Sequence, residues 1–281
     1  MTIQQIDQLI EEDVSLDQLA QAYAEIANLK IQRIRAAEEK NKIFLKEISA
    51  VYDLVKKMAV KKGVNITKPK KMVSLVITSN YPFYGATNYD LLDFFTSSTQ
   101  KLDTDRIMLG KAAVDYFQAK PIFKNFQEVI LSSDEPKPNE LTTLVGMLKD
   151  YSQIVVFYSG FKSLLVQQPA ATTIRGSSEL HLGGESKVEN ESLFIFEPEL
   201  YKILNFFDSQ ITTLLLQGVF LESELSRAAS RFISMDQADI AANKFIKEYQ
   251  TLKSYTIRNM NNNKILENFA SMFSIRKELY K

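Results

Sequence analysis

Residues 74–88 read SLVITSNYPFYGATN. The apolar run Leu75-Val76-Ile77 has the length of a buried strand. A turn-rich segment with a single glycine, Gly85, follows it, and then the helical stretch YDLLDFF. Strand, turn and helix in that order is the layout in which many proteins hold a phosphate. A dinucleotide fingerprint, however, needs three glycines spaced G-x-G-x-x-G, and a P-loop needs a glycine-rich turn ending in Gly-Lys-Ser/Thr. SNYPFYGATN supplies one glycine and no lysine. Gly110-Lys111 also follows a candidate strand, but Ala112 lacks the hydroxyl that would hold magnesium. Neither fingerprint is met.

Outward from this stretch the middle of the chain alternates. LVIT, RIML, EVIL, QIVVFYSG and LFIFE have strand character. NYDLLDFFTSSTQK, GKAAVDYFQ and NELTTLVGMLKDY lie between the first four as helices, and PELYKILNFF follows LFIFE with Pro198 at a helix start. Strands separated by helices predict a small Rossmann-like α/β domain with helices on the faces of its sheet. The carboxylates Asp134-Glu135 fall in a proline-rich loop and read as solvated groups rather than an acid/base pair.

The two ends differ from the middle. The first glycine is Gly63 and the first proline Pro69, while no proline follows Pro198 and no glycine follows Gly218. Ser15 and Gln18 have the spacing of a capping box. Beyond them apolar residues recur every three or four positions: Leu19, Tyr23, Ile26, Ile34, Ala37, Leu45, Ile48, Val55 and Met58, with Gly63 as a stop. From about Ser209 to the C-terminus a second stripe runs through Leu221, Leu225, Ala228, Phe232, Met235, Ala242, Phe245, Leu266, Phe269 and Phe273. Narrow stripes on long helices predict an antiparallel coiled coil in which each terminal helix is the other's partner. The expected organisation is an N-terminal extension at 1–14, a first long helix at 15–63, an α/β domain at 72–207 and a second long helix at 209–281. The extension, TIQQIDQLIEED, is itself helical in pattern, with Thr2 and Gln5 in capping-box positions.

Composition removes several function classes. The chain has 34 basic and 34 acidic residues, so net charge points to neither nucleic acid nor an anionic membrane. Without cysteine there are no disulfides, thiolate metal sites or thiol nucleophile, and one histidine, His181 in a polar stretch, cannot form a histidine metal cluster. No run approaches the roughly 20 apolar residues of a membrane span, and the N-terminus lacks a signal-peptide core. A soluble, cytoplasmic protein is expected.

Taken together, five short matches in order resemble the gamma subunit of F-type ATP synthase. Arg33-Ile34 and Lys42-Ile43 keep the spacing of the family's R-I and K-I pairs. TSNYPFYGATN keeps Thr78, Ser79, Gly85 and Asn88 of T-S-D-x-G-L-C-G-x-x-N, with Asn80 in place of the aspartate. VVFYSGFKSLLVQQPA resembles a strand followed by F-x-S and Q-x-P. LFIFEPEL keeps Glu197 and Pro198 of Y-x-Y-E-P, with Phe196 for tyrosine. LSRAASRFISMDQADIAAN keeps Ser226, Ala229, Arg231, Met235, Asp236 and Ala238 of S-E-H-A-A-R-M-x-A-M-D-x-A.

The resemblance implies the central rotor shaft of a rotary ATPase, a non-catalytic subunit that binds no cofactor while its alpha- and beta-type partners hold ATP, ADP and magnesium. It implies ring contacts at Arg33, Lys42, Arg231, Met235 and Arg258. It implies contact of Phe196 and Glu197 with a membrane c-ring or a replacement for it, and an epsilon-type partner at the foot. The complex would place the chain peripherally at the membrane. Departures fall at such contacts: LKEISA stands for K-A-M-K-M-V, Ile257-Arg258 for Arg-Gln, Asn262-Asn263-Lys264-Ile265 for T-x-E-I, and Pro82 and Tyr84 for a glycine and a cysteine of the turn. The shaft of an ATP synthase and that of an F-type-like ATPase adapted to other work both accommodate them. A coiled-coil adaptor and a nucleotide-binding α/β enzyme are the readings from other classes.

Overall fold

A computed structural model describes residues 1–61, 71–123, 125–175 and 199–278. In chain order the elements are α1 (Ile3–Lys61), β1 (Met72–Ile77), α2 (Thr87–Thr99), β2 (Asp105–Leu109), α3 (Lys111–Ala119), β3 (Gln127–Val129), α4 (Pro138–Leu148), β4 (Gln153–Phe161), β5 (Gln167–Arg175) and α5 (Leu200–Glu278). The chain divides into two compact units, Met1–Ile26 with Phe232–Lys281, and Ala27–Arg231.

The larger unit is built on a five-stranded sheet in the order β3-β2-β1-β4-β5. β3, β2, β1 and β4 run parallel, and β5 returns antiparallel on β4. Alternation along β1 decides what each face holds. Val73, Leu75 and Ile77 turn toward Leu141, Leu144 and Leu148 of α4 and Leu216, Val219 and Phe220 of α5. Val76 turns the other way, toward Leu91, Leu92 and Phe95 of α2 and Ala113 and Phe117 of α3. On that second face Phe95 meets Phe117, Phe123 and Phe157 in edge-on contacts with ring centroids 5.1–6.2 Å apart. α5 is therefore part of the sheet's cover and not merely a neighbour of it.

Within the same unit α1 and α5 pair antiparallel. Lys30 forms an ion pair with Glu224, Asn41 donates to the Leu214 carbonyl at 3.2 Å, and the Tyr52 and Phe207 rings lie 6.4 Å apart. α1 contributes Ala27, Ile31, Ile34, Val55 and Ala59 to the buried seam. In the smaller unit the two helices again run antiparallel, tied by Asp7 to Lys253 at 2.6 Å and by Gln21 to Asp239 at 2.8 Å. The fold class expected from the sequence is the one observed: a long antiparallel helix pair with a central α/β domain.

Several details differ from expectation. Ser15 caps nothing; α1 runs through it without a break, and its Oγ donates to the Glu11 carbonyl at 2.8 Å, a bond available only inside a helix. The start lies at Thr2, where the Gln5 N–H donates to Thr2 Oγ1 at 3.3 Å and the Thr2 N–H to Gln5 Oε1 at 2.9 Å, the two bonds of a capping box. The second long helix begins at Leu200 rather than Ser209, because no helix breaker separates YKILNFF from the DSQITTLLL beyond it. β5 was not foreseen: QQPAATTIR holds a proline and few large apolar residues, as suits a strand bonded on one side. LFIFE, Pro198, Gly63 and His181 lie outside the described residues.

The stripe of α1 in the smaller unit is displaced by one position. Leu19 and Ile26 are exposed, whereas Ala20 is buried and Ala24 half-buried. Alanine allows close approach of two helices, so the smaller side chains take the seam and the larger ones are turned outside it.

Candidate partner-binding surface

Of the two candidate phosphate turns, Ser79–Ala86 before α2 and Gly110-Lys111 before α3, the second is closed by the chain's own groups. Gly110, at φ +98°, lies so near β1 that a Cβ would sit 2.5 Å from the Thr78 carbonyl oxygen, so only glycine fits there. The N–H groups that open α3 are all engaged: Lys111 with Asn80 Oδ1 at 3.0 Å, Ala112 with the Ser79 carbonyl at 3.0 Å, and Ala113 with Thr78 Oγ1 at 3.0 Å. These are the donors an anion would need. Among the described residues no group of three His, Cys, Asp or Glu side chains could hold a metal ion.

Asp134 corrects its sequence reading. It is buried at 5 % exposure, accepting from the Asn80 N–H at 2.6 Å and from the Tyr84 hydroxyl at 2.6 Å. Burial first, and then the Asp134 charge, push the Tyr84 phenol well above its usual range. Asn80 uses both ends of its amide, accepting from Lys111 and donating Nδ2 to the Leu131 carbonyl at 3.1 Å. An aspartate could not make the second bond. Ser230 of α5 donates to the Tyr84 carbonyl at 2.8 Å, and Asn88 donates to Ser79 Oγ at 2.7 Å. The turn thus joins β1, the loop before α4, and α5. Phe83 stands at its tip with φ +69°, an uncommon value for a side chain of that size, and is exposed. The chemistry of this region is that of a structural joint.

The sequence-predicted residues are spread out. Arg33 is exposed on α1. Lys42, also exposed, bonds to Glu38 at 2.5 Å, and that bond before all else raises its pKa. Nine residues apart on a helix, Arg33 and Lys42 point to nearly opposite sides. Arg231 is turned inward, its Nη2 donating to the Pro82 carbonyl at 3.0 Å and its guanidinium stacked 4.1 Å from the centre of the Tyr84 ring. Met235 is half-buried and Arg258 exposed on α5. Phe196 and Glu197 lie outside the described residues.

What sequence reasoning misplaced is the apolar exterior of the smaller unit. Leu16, Leu19 and Ile26 of α1 are more than half exposed, at 58, 56 and 54 %, and Tyr23 between them is 37 % exposed. Their spacing of three and four makes one stripe. On α5 every residue from Ile257 to Met272 is exposed, Met260, Ile265, Leu266, Phe269 and Met272 among them. Stripes of this extent exceed the singly scattered apolar residues of an ordinary surface. The signal was present as the alanines Ala20, Ala24 and Ala27, whose spacing defines the seam one position away from the leucines.

Among the described residues no helix is long and apolar enough to cross a membrane. A family model described as ATP synthase matches residues 2–257. The ATP synthase gamma chain of Macrococcus caseolyticus is 26 % identical over 252 residues, covering 82 % of this chain and 84 % of that one. The gamma chain of Staphylococcus epidermidis is 23 % identical over 268 residues, covering 88 and 90 %. Among solved structures, a chain in the central stalk and c-ring of Tetrahymena thermophila mitochondrial ATP synthase aligns with a TM-score of 0.60 at 16 % identity, over 78 % of this chain and 99 % of that one.

Proposed function

The chain belongs to the ATP synthase family, and on that premise we propose that it is the central rotor shaft of an F-type ATPase, a non-catalytic subunit that couples ATP hydrolysis or synthesis in a surrounding ring to rotation. One observation carries the reading: a helix pair with an alanine-lined seam turns its large apolar residues, Leu16, Leu19 and Ile26, outward. A shaft works by differential contact. Each catalytic site's affinity for nucleotide depends on which side of the shaft it meets, so the outer surface must differ from side to side.

In this reading residues 15–63 and 209–281 form the shaft, 72–207 the foot, and 1–14 an extension that lengthens the helix pair. The Asp7–Lys253 ion pair and the burial of Ile6 favour the last assignment. Alpha- and beta-type subunits enclose the shaft and hold ATP, ADP and magnesium, while this chain holds no cofactor. Arg33, Lys42 and Arg258 meet the ring with exposed side chains. Arg231 and Met235 belong to the same contact while also engaged within the chain. The foot meets an epsilon-type subunit and, through Phe196 and Glu197, a membrane c-ring or its replacement. The chain then lies at the membrane only through its complex.

The test is affinity purification of the tagged native complex, with mass spectrometry and an ATPase assay of the eluate. Ring subunits recovered with c-ring proteins identify an ATP synthase shaft. Ring subunits recovered with other membrane or cytoskeletal proteins identify a motor adapted to other work. Recovery of no ATPase subunit overturns the reading.

A further inference from the structure

Small and apolar side chains, Ile6, Ala20 and Ala242 among them, line the seam of the smaller unit, and one level of it carries a cluster of four polar groups. There Asp17 of α1 and Asp239 of α5 meet across the seam, held by the same two amides. The amides bridge them crosswise. Gln21 donates Nε2 to Asp239 Oδ1 at 2.8 Å and to Asp17 Oδ2 at 3.1 Å. Asn243 donates Nδ2 to Asp17 Oδ1 at 2.8 Å and to Asp239 Oδ1 at 3.3 Å. Each helix supplies one carboxyl and one amide, so the arrangement closes only when the helices are aligned in this register.

We propose that Asp17, Gln21, Asp239 and Asn243 form a proton-sharing lock that fixes the register of the helix pair and tightens it as the pH falls. Two carboxyls that accept from the same amide groups lie close enough to repel when both are ionised, which favours one proton shared by the pair. The amides satisfy the remaining oxygens, which keeps the singly protonated pair in place. A slip of one turn in one direction would set Asp239 beside Ala24 and Asp17 beside Ile246, away from the bridging donors. Polar groups at a seam position commonly specify alignment in this way.

The carboxyls titrate as a pair. The bond to Asp239, followed by burial and repulsion, raises Asp17 above the ordinary 3.8. Bonds from Gln21 and then Asp17 hold Asp239 below it. Between the ordinary value and the raised one the folded pair binds more protons than the unfolded chain, so stability there increases as pH falls. Below the lowered value the folded pair resists a second proton and the trend reverses. The flanking charged groups are Asp13, half-buried one turn before Asp17, with exposed Asp236 and Lys247 on α5 and Lys244 reaching Glu248 at 3.9 Å.

Thermal unfolding of the full chain, followed from pH 3 to 8, tests the shared proton in Asp239→Asn, with Asp236→Asn as the control. The Tm difference between Asp239→Asn and the parent should shift with pH, the variant gaining on the parent as pH rises, while the control difference stays flat. A constant offset for Asp239→Asn overturns the shared proton. Register has its own readout because the chain has no cysteine. Asp7→Cys should form a disulfide faster with Lys253→Cys than with Tyr249→Cys, and that preference should be lost when Asp17→Leu and Asp239→Leu are added. Equal rates in the parent seam, or a preference that survives the leucines, overturns the lock.

Discussion

The guanidinium of Arg231 lies 4.1 Å from the centre of the Tyr84 ring while its Nη2 bonds the Pro82 carbonyl at 3.0 Å. One side chain of α5 thus covers one residue of the turn and anchors another. The Tyr84 hydroxyl continues the connection to buried Asp134. Tyr84→Phe keeps the ring under Arg231 but removes a donor from that carboxylate. The expected loss is about 1–3 kcal/mol, the cost of a buried polar group left short of a partner. Urea unfolding of the full chain measures it.

Asn80→Asp should also destabilise, by about 1–3 kcal/mol. The new carboxylate faces the Leu131 carbonyl with no hydrogen to give and lies close to Asp134. The loss should be greater above the carboxylate pKa range than below it, because a protonated carboxyl both sheds the charge and has a hydrogen to give to the Leu131 carbonyl. Melting at pH 4 and pH 7 checks this.

Gly110→Ala should be costlier. The backbone stands at φ +98°, and the added carbon would meet the Thr78 carbonyl oxygen at 2.5 Å. Backbone strain of about 1–3 kcal/mol adds to the displacement of β1. Gly146→Ala, with nothing within 4 Å of the new carbon, is the matched control and should stabilise α4 slightly. If both variants melt at the parent temperature, the close approach at Gly110 is not what the position requires.

Glu140 accepts from the N–H groups of Lys137 and Ser132 at 2.9 and 2.8 Å, and these bonds hold its pKa below the ordinary 4.5. A lowered folded pKa contributes stability that is complete above the ordinary value and is lost as pH falls through the folded one. Glu140→Gln should therefore flatten this acid limb and leave the profile near pH 7 parallel to the parent. Tm measured against pH between 3 and 7 is the readout.

Leu19→Ser and Ile26→Ser remove apolar area from the outside of the helix pair rather than from its seam. Folding stability should change by no more than about 0.5 kcal/mol each. Ring-dependent ATPase activity and recovery of ring subunits should fall in the double variant. Ala20→Leu makes the opposite case, overfilling the seam at an expected cost of about 1–3 kcal/mol.

Much of the fold was legible because the punctuation of the sequence is physical. Glycine and proline gather where strands and helices alternate, and the strands β1, β2 and β4 fall on apolar runs, while β3 shares only Glu128 and Val129 with the run EVIL. β5 escaped because a strand bonded along one side tolerates polar residues and a proline. Phase in α1 failed for a different reason. A periodicity argument favours the larger apolar residues, whereas two helices approaching closely favour the smaller ones, and Leu19 beside Ala20 sets those rules against each other. Asp134 was misread because burial of a loop carboxylate depends on partners, Asn80 and Tyr84, more than 45 residues away.

The alanine seam has a geometric consequence. Helices that meet through Ala20, Ala24 and Ala242 can approach to about 8 Å between axes, the near limit of ordinary packing. A rod this slender has little interior to vary. Nearly all of its cross-section is set by side chains on the outside, so its contour changes from level to level with each exposed leucine, tyrosine or arginine. Its profile, like that of a key, is cut into the perimeter.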